Sequence, residues 1–196
     1  MTKPDKQAIR KSILSDREQL PAEIRAALSA DIAERLLQLP EYRDAETVLG
    51  YMNFGSEFAS DLFSARVLAE GRRLALPKVN RHTNHLDLYW VEDFENQLAP
   101  GLWGIREPVV ERCERLGTLN EVEFALLPGV AFTRKGARLG YGGGFYDKLL
   151  ADDGGRRPAL VAAAFALQIV EQLPQEATDI KVELIVTERE TIACAA

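Results

Sequence analysis

The first forty residues show the hydrophobic spacing of two amphipathic helices. Apolar residues share one face between Asp5 and Leu20, and Pro21 follows, which predicts a first helix that ends there. Apolar residues four positions apart from Ala22 to Leu39 predict a second helix, which ends before Pro40.

The first predicted helix has a basic edge. At about 100° per residue, four cations fall within an arc of about 60° beside its apolar stripe: Lys3, Lys6, Arg10 and Arg17.

After the second helix the hydrophobic period alternates between strands and helices. Predicted strands are Thr47–Phe54, Arg73–Lys78, His85–Val91, Glu123–Leu127, Pro158–Phe165 and Lys181–Thr187. Predicted helices are a segment that Ser60 caps and Gly71 ends, Gly144–Leu150, and a stretch around Leu167–Leu173; Pro100–Pro108 is predicted as an ordered loop. This alternation indicates an α/β layer with a largely parallel sheet, capped by the N-terminal helices, in a single domain over residues 1–196.

Composition supports a globular chain. Of 196 residues, 46% are hydrophobic and 28% charged, which excludes disordered and fibrous classes. The net charge of −6 without a continuous basic surface argues against a nucleic-acid partner. The charged N-terminus and the absence of about 18 consecutive apolar residues argue against a signal peptide or membrane span. We expect a cytoplasmic protein with Cys113 and Cys194 as free thiols.

Glycines concentrate at one strand-to-helix junction, where open α/β sheets bind ligands. Five of the 14 glycines lie between Gly136 and Gly144. Unhindered backbone N–H groups before a helix favour an anion. The surrounding charges agree, because four cations accompany one acid: Arg134, Lys135, Arg138 and Lys148, with Asp147. The pattern predicts a phosphate site.

Two common phosphate motifs do not fit this glycine loop. Phe145 stands where GxGxxG requires its third glycine, and GxxxxGK[ST] does not occur in the chain. A merely flexible solvent loop is the alternative. The flanking aromatics Tyr141, Phe145 and Tyr146 instead favour a planar ring bound beside the phosphate.

Nearby carboxylates leave alternatives open. Asp147 could stabilise a helix dipole, worth about 0.3 to 1 kcal/mol, or bind Mg²⁺ together with phosphate oxygens. A second metal ligand could be Asp179 or Glu176, and Glu57 could be a surface acid or a hydrogen-bond partner for a ligand ring.

The stretch Pro128–Lys148, PGVAFTRKGARLGYGGGFYDK, resembles the signature of the 5-formyltetrahydrofolate cyclo-ligases, also called 5,10-methenyltetrahydrofolate synthetases. Other similar segments follow in order: KQAIRKSILSDR at Lys6–Arg17, Glu57, LPKV at Leu76–Val79, GLWGIREP at Gly101–Pro108 and TDIKVELIVTE at Thr178–Glu188.

This resemblance implies a three-layer Rossmann-like (NagB/RpiA-like) fold, with a mostly parallel central sheet flanked by helices. It also implies an ATP- and Mg²⁺-dependent conversion of 5-formyltetrahydrofolate to 5,10-methenyltetrahydrofolate, with release of ADP and phosphate. We expect a monomer. A non-catalytic folate- or nucleotide-binding module on the same fold, and an ATP-dependent ligase for another heterocycle, are the alternatives.

By matching positions, the resemblance implies roles for individual residues. Catalysis falls to Arg138 and Tyr146, and the metal to Asp147 and Asp179. ATP would contact Lys6, Arg10, Arg138, Leu139, Gly140, Tyr141, Gly142, Gly143, Gly144, Phe145 and Tyr146, and the folate would contact Met52, Glu57 and the loop from Tyr141 to Phe145. As a phosphate-facing loop residue, Arg138 is expected to contribute little to folding.

Four positions depart from the usual family pattern. They are Thr133 where Asp is frequent, Phe145 for Tyr, Thr178 for His and Glu183 for Asp. None of them removes a phosphate- or metal-binding group.

Overall fold

The structure of the protein is a computed structural model that describes residues 5–151, 155 and 157–194. Its helices are α1 (Lys6–Gln19), α2 (Ala22–Gln38), α3 (Pro40–Arg43), α4 (Ser60–Ala69), α5 (Phe94–Gln97) and α6 (Phe145–Ala151). Single 3₁₀ turns cover Leu102–Gly104, Val110–Arg112, Leu119–Glu121 and Ala166–Gln168.

The strands are β1 (Thr47–Leu49), β2 (Arg73–Asn80), β3 (His85–Val91), β4 (Leu98–Pro100), β5 (Arg106–Pro108), β6 (Phe124–Leu127), β7 (Ala131–Thr133), β8 (Arg138–Leu139), β9 (Ala159–Ala163), β10 (Ile169–Val170), β11 (Leu184–Val186) and β12 (Thr191–Ala193). Seven of them form the main sheet in the order β12-β11-β9-β6-β1-β2-β3. The five central strands are parallel, and the edge strands β3 and β12 are antiparallel to their neighbours.

Helices cover both faces of this sheet, as the predicted fold class requires. Because side chains alternate along a strand, Phe124 and Leu126 pack towards α2 and α4, whereas Ala125 and Leu127 pack towards the opposite layer, which includes Leu150 of α6. The predicted α/β architecture with a mostly parallel central sheet is therefore confirmed, with hydrophobic layers on both sides.

The first two predicted helices are confirmed to within one residue at each end. Asp5 precedes α1 and its carboxylate accepts a hydrogen bond from the Gln7 N–H at 3.0 Å, which satisfies one free donor of the first turn. Ile13 on the apolar face of α1 packs against the buried residues Val130 and Leu139. This packing places α1 against a small second sheet, β10-β7-β8.

The helix predicted around Leu167–Leu173 is wrong. A 3₁₀ turn is followed by β10, which pairs in parallel with β7. Gln168 explains the difference, because its buried amide donates to the carbonyls of Gly129 and Val130, both at 3.0 Å. These contacts join residues 38 and 39 positions apart and favour an extended chain over a helix after Gln168. The hydrophobic pattern of neighbouring residues carries no information about such distant contacts.

Three other local predictions change. The first strand ends at Leu49 rather than Phe54, so that Tyr51 and Met52 lie beyond the sheet edge. Ser60 does not cap α4; it is the first helical residue, and its hydroxyl donates to the Tyr51 carbonyl at 2.6 Å. The ends of the predicted loop Pro100–Pro108 belong to β4 and β5, which pair antiparallel.

Both cysteines are free thiols, as predicted. Within the described part of the chain, no helix has the length and apolar character needed to span a bilayer.

Candidate active site

A cavity of about 480 Å³ lies where β1, β2 and β6 end at the carboxyl edge of the sheet. Ligands bind at this edge in open α/β folds. Its walls are mainly apolar and come from five parts of the chain. They are Tyr51, Met52, Phe54 and Glu57 after β1; Pro77, Val79 and Leu86 of the β2–β3 hairpin; Trp103, Ile105, Arg106 and Glu107 of the β4–β5 hairpin; Pro128 after β6; and Arg138, Gly140, Tyr141, Gly143, Gly144, Phe145, Tyr146 and Asp147 from β8 to α6.

The glycine loop, residues Gly140–Gly144, joins β8 to α6 and forms one wall of this cavity. Gly142 has φ +109° and Gly144 has φ +63°, conformations that side chains with a Cβ rarely adopt. At Gly143 the restriction is space, because a Cβ there would lie 2.6 Å from the Phe145 ring. The loop is thus an ordered backbone surface packed on its own aromatics, which does not support the flexible solvent loop.

Arg138 and Asp147 meet at the base of the glycine loop. The Arg138 Nη2 donates to Asp147 Oδ1 at 2.7 Å, and Nη1 donates to the Pro128 carbonyl at 3.2 Å. The Arg138 side chain is only 3% exposed, and its Nε is buried without a partner. Arg138 is thus packed and bonded inside the protein rather than a loop side chain without structural contacts, and the effect of its removal on folding stays a prediction.

Tyr146 lines the cavity near the Arg138 guanidinium. Its ring stands 5.8 Å from the Arg138 guanidinium carbon, and burial raises the pKa of its phenol, with a further increase from Glu57. A phenol is protonated at neutral pH even at its ordinary pKa of about 10, so Tyr146 can act as a hydrogen-bond donor.

Lys6 and Arg10 approach the site from the first two turns of α1. Arg10 Nε donates to the Gly140 carbonyl at 2.8 Å, which ties α1 to the glycine loop. Lys6 Nζ lies 2.8 Å from Glu176 Oε1 and 3.4 Å from Asp179 Oδ2, and its hydrogen bond to Glu176 raises the pKa of the ammonium group. Neither residue lines the cavity itself.

Met52 and Glu57 form the wall that follows β1. Both are buried, and the Glu57 carboxylate accepts the Phe54 N–H at 2.7 Å. Burial raises the pKa of Glu57, although hydrogen bonding to Tyr141 and to that N–H opposes the increase. The sequence left two roles open for Glu57, a surface acid or a hydrogen-bond partner for a ligand ring. The structure excludes the surface acid, because Glu57 is buried in the cavity wall.

Other predicted residues lie elsewhere. The Leu139 side chain packs in the cluster with Ile13 and Val130, and its carbonyl accepts the Val130 N–H at 2.7 Å, so its side chain does not face the cavity. Arg134, counted above among the local cations, is exposed and pairs with Glu190 across a 3.2 Å hydrogen bond. Among the described residues, the cations that line the cavity are Arg138 and Arg106, and Arg10 contacts the glycine loop from α1.

Half of the residues that line the cavity were not predicted from the sequence, and Trp103 is the most exposed apolar residue among them; Arg17, outside the lining, was also not predicted as a site residue. Trp103 lines the cavity, is 65% exposed and has φ +56°. The sequence contained a signal for Trp103: a large aromatic residue stands between Gly101 and Gly104, in a segment where a simple turn does not require an aromatic side chain. Arg17, which the sequence placed on the basic edge of α1 without a role, is buried beneath the glycine loop.

Asp147 and Asp179 offer oxygen ligands suited to Mg²⁺. The Ile180 N–H donates to Asp147 Oδ1 at 3.3 Å, which brings the residue after Asp179 to Asp147. Both carboxylates are partly exposed, and neither Asp147 Oδ2 nor Asp179 Oδ1 accepts a hydrogen bond from a described residue. Residues 5–151, 155 and 157–194 contain no group of three acidic, His or Cys side chains suited to a metal. Two carboxylates fit Mg²⁺ when phosphate oxygens and water supply its other ligands.

Comparison with known proteins gives a consistent result. A profile of the 5-formyltetrahydrofolate cyclo-ligase family matches residues 2–188. The 5-formyltetrahydrofolate cyclo-ligase of Haemophilus influenzae is 29% identical over 180 residues, covering 92% of this chain and 96% of that one. The enzyme of the same name from Escherichia coli K12 is 29% identical over 171 residues, with 87% and 93% of the two chains covered.

Solved structures agree on the fold. The NMR structure of 5,10-methenyltetrahydrofolate synthetase from Aquifex aeolicus superposes with a TM-score of 0.83 at 36% identity, covering 97% of this chain and 93% of that one. A synthetase structure from Mycoplasma pneumoniae, at 22% identity and a TM-score of 0.74, covers 94% and 99% and supports the fold alone. With the match extending over nearly its whole length, the chain belongs to the 5-formyltetrahydrofolate cyclo-ligase family of enzymes.

Proposed function

We propose that this protein uses Mg²⁺ and ATP to convert 5-formyltetrahydrofolate into 5,10-methenyltetrahydrofolate, with release of ADP and phosphate. The observation that carries the proposal is one cavity lined by the Arg138–Asp147 pair, the glycine loop and the buried Glu57. A nucleotide phosphate and a heterocyclic ring can therefore be bound side by side.

The two halves of the site match the two substrates. Met52 and Glu57 offer an apolar surface and a buried hydrogen-bonding acid to the pterin ring. The backbone of the glycine loop and the guanidinium of Arg138 offer donors to the phosphates of ATP, and Lys6 and Arg10 approach from α1. Leu139 would contribute through its backbone alone.

In the proposed reaction the formyl oxygen attacks the γ-phosphorus of ATP, and the bond to the β-phosphate oxygen breaks to leave ADP. The folate N10 then adds to the activated formyl carbon and so closes the ring, after which the carbon–oxygen bond breaks and phosphate leaves with the former formyl oxygen. Loss of the N10 proton balances the charge of the methenyl product.

This chain would chiefly position the reactants and stabilise charge, which are the main protein contributions to phosphoryl transfer. Arg138, almost fully buried, is suited to stabilise the charge on the transferred phosphoryl group. Tyr146 can donate a hydrogen bond beside it, because its phenol stays protonated. Asp147 and Asp179 would bind Mg²⁺, which would neutralise phosphate charge when bound.

The test is the near-ultraviolet absorbance of the methenyl product, followed with purified protein, Mg-ATP and 5-formyltetrahydrofolate. We expect absorbance to rise only when ATP is present, with one phosphate released per product. Folded protein that gives no signal at saturating substrates would contradict the proposal. Binding of both substrates without phosphate release would instead support the non-catalytic module, and turnover with another heterocycle would support a different ligase.

A further inference from the structure

Arg17 is a buried cation that the proposed reaction does not use. It lies on α1 and is 2% exposed, yet it faces two segments of the cavity wall. Its Nε donates to Ser56 Oγ at 3.0 Å, next to Glu57, and its Nη2 donates to the Tyr141 hydroxyl at 2.8 Å. One guanidinium group thus joins the segment after β1 to the glycine loop, 85 positions apart in the chain.

Tyr141 extends this connection to Glu57. Since Arg17 donates to the phenol oxygen, the phenol proton is free to be donated to the Glu57 carboxylate, and hydrogen bonding between the two lowers the pKa of that acid. Tyr141 is the only side chain between Gly140 and Gly142, and it is 44% exposed. Without a partner beneath it, an aromatic ring on such a loop would have several orientations available.

The arrangement is costly for stability. The Arg17 Nη1 is buried without a hydrogen-bond partner, and a buried guanidinium loses hydration that two hydrogen bonds only partly replace. A hydrophobic side chain of similar volume at this position would avoid that cost. The gain from Arg17 therefore lies in what it orders, which is the wall of the cavity.

We propose that Arg17 is a positioning residue for the folate substrate, holding Tyr141 against Glu57 so that the ring-binding wall is formed before the substrate enters. The inference rests on the proposed function, because it assigns the Tyr141–Glu57 wall to the folate. Arg10, two turns earlier on α1, holds the Gly140 carbonyl and so orders the loop backbone. The helix thereby supports the loop at two points, and Arg17 acts on the side that faces the folate.

Loss of Arg17 should change the KM values for the two substrates differently. In Arg17→Met the loop backbone keeps its contact with Arg10, so we expect the KM for ATP to change less than twofold. Tyr141 loses its charged partner, and we expect the KM for 5-formyltetrahydrofolate to rise about tenfold, the effect of one charge-assisted hydrogen bond. The melting temperature should change little or fall modestly, because the cost of burying the charge is removed while Ser56 Oγ and the Tyr141 hydroxyl lose their donor.

The experiment compares Arg17→Met, Arg17→Lys, Tyr141→Phe and the double variant Arg17→Met/Tyr141→Phe with the wild type. Steady-state kinetics give the two KM values, and calorimetry measures 5-formyltetrahydrofolate binding without turnover. Lys11→Met is the matched control, since Lys11 is exposed on the same helix. We expect Lys11→Met to bind 5-formyltetrahydrofolate as tightly as the wild type does. Arg17→Lys should recover part of the affinity that Arg17→Met loses. The double variant should bind 5-formyltetrahydrofolate no more weakly than the weaker of the two single variants, because both changes remove the same interaction.

Three results would overturn the inference: an unchanged folate KM in Arg17→Met, an equal rise in both KM values, or additive effects of the two single variants. A lower melting temperature with unchanged folate affinity would give Arg17 a purely structural role and would also overturn it. The proposed function fails separately. If the wild type binds 5-formyltetrahydrofolate but makes no methenyl product, the reaction is wrong and the calorimetric comparison still decides the role of Arg17. A wild type that binds no folate overturns both.

Discussion

Arg138 and Asp147 form a short ion pair at the base of the glycine loop, with Arg138 Nη2 2.7 Å from Asp147 Oδ1. The arginine is almost fully buried while the aspartate is 28% exposed, so the pair spans the boundary between the packed interior and the cavity. One residue that would stabilise phosphate charge is thus bonded to one that would bind Mg²⁺. This coupling means that substitutions at either position affect both groups.

The first prediction concerns Arg138→Ala. It removes the donor of the Pro128 carbonyl and leaves Asp147 with the Ile180 N–H as its only donor among the described residues, so the free energy of unfolding should fall by about 1 to 3 kcal/mol. Turnover should fall further, by roughly 10²- to 10³-fold in kcat, because a donor to the transferred phosphate is lost. Chemical denaturation and the absorbance assay measure the two effects.

Arg134→Ala is the control for that variant. Its ion pair with Glu190 is exposed on both sides, so stability should change by less than about 1 kcal/mol and activity should be unaffected. If Arg138→Ala loses activity only in proportion to its unfolded fraction, a direct role of Arg138 at the phosphate is refuted.

The second prediction decides between the two acids that the sequence left open as partners of Asp147. Asp179→Asn should raise the Mg²⁺ concentration for half-maximal rate about tenfold or more, since a metal ligand would lose its charge. Glu176→Gln should change it less than twofold. Initial rates measured against Mg²⁺ at saturating ATP provide the comparison, and equal shifts in both variants would contradict the assignment.

A third prediction follows from the two acids that bind Lys6. Its ammonium group lies 2.8 Å from Glu176 and 3.4 Å from Asp179, and it would have to contact ATP from this position. Lys6→Met should raise the KM for ATP about tenfold, the loss of one charge-assisted contact, and leave the folate KM within twofold. Lys11→Met, an exposed lysine on the same helix, should alter neither constant. An unchanged KM for ATP would remove Lys6 from the site.

The fourth prediction uses the pH dependence of stability. Burial raises the pKa of Glu57 above its ordinary value of 4.5, so the folded protein binds this proton more tightly than the unfolded chain does. The contribution of Glu57 to stability should then fall as pH rises from about 4.5 through the folded pKa, with a slope of at most about 1.4 kcal/mol per pH unit.

Comparison with Glu57→Gln isolates this contribution, because the other groups titrate in both proteins. The unfolding free energy of the wild type minus that of the variant should decrease with pH across that range and then become constant. Urea denaturation at a series of pH values measures it. A difference that increases with pH would show that ionised Glu57 is stabilised by its partners and that burial does not dominate.

Local patterns determined much of this fold. Helices α1 and α2 follow from a four-residue hydrophobic spacing bounded by prolines, and the parallel strands from short runs of β formers, because both signals lie within a few adjacent residues. The segment Ile169–Val170 could not be found in this way. Its pairing with β7 and the bonds of Gln168 join residues about 37 positions apart, which no local period records.

The candidate site divides in the same manner. The sequence alone determined the glycine loop, the neighbouring aromatics and Asp147, because that chemistry lies within one contiguous stretch. Only the tertiary structure decided that Arg138 is a packed residue, that Glu57 is buried in the cavity wall, and that Arg17 contacts Tyr141. The local sequence around a basic residue on an amphipathic helix is the same whether its side chain faces water or a loop 124 residues away. Only the packing of the folded chain determines which of the two the guanidinium contacts.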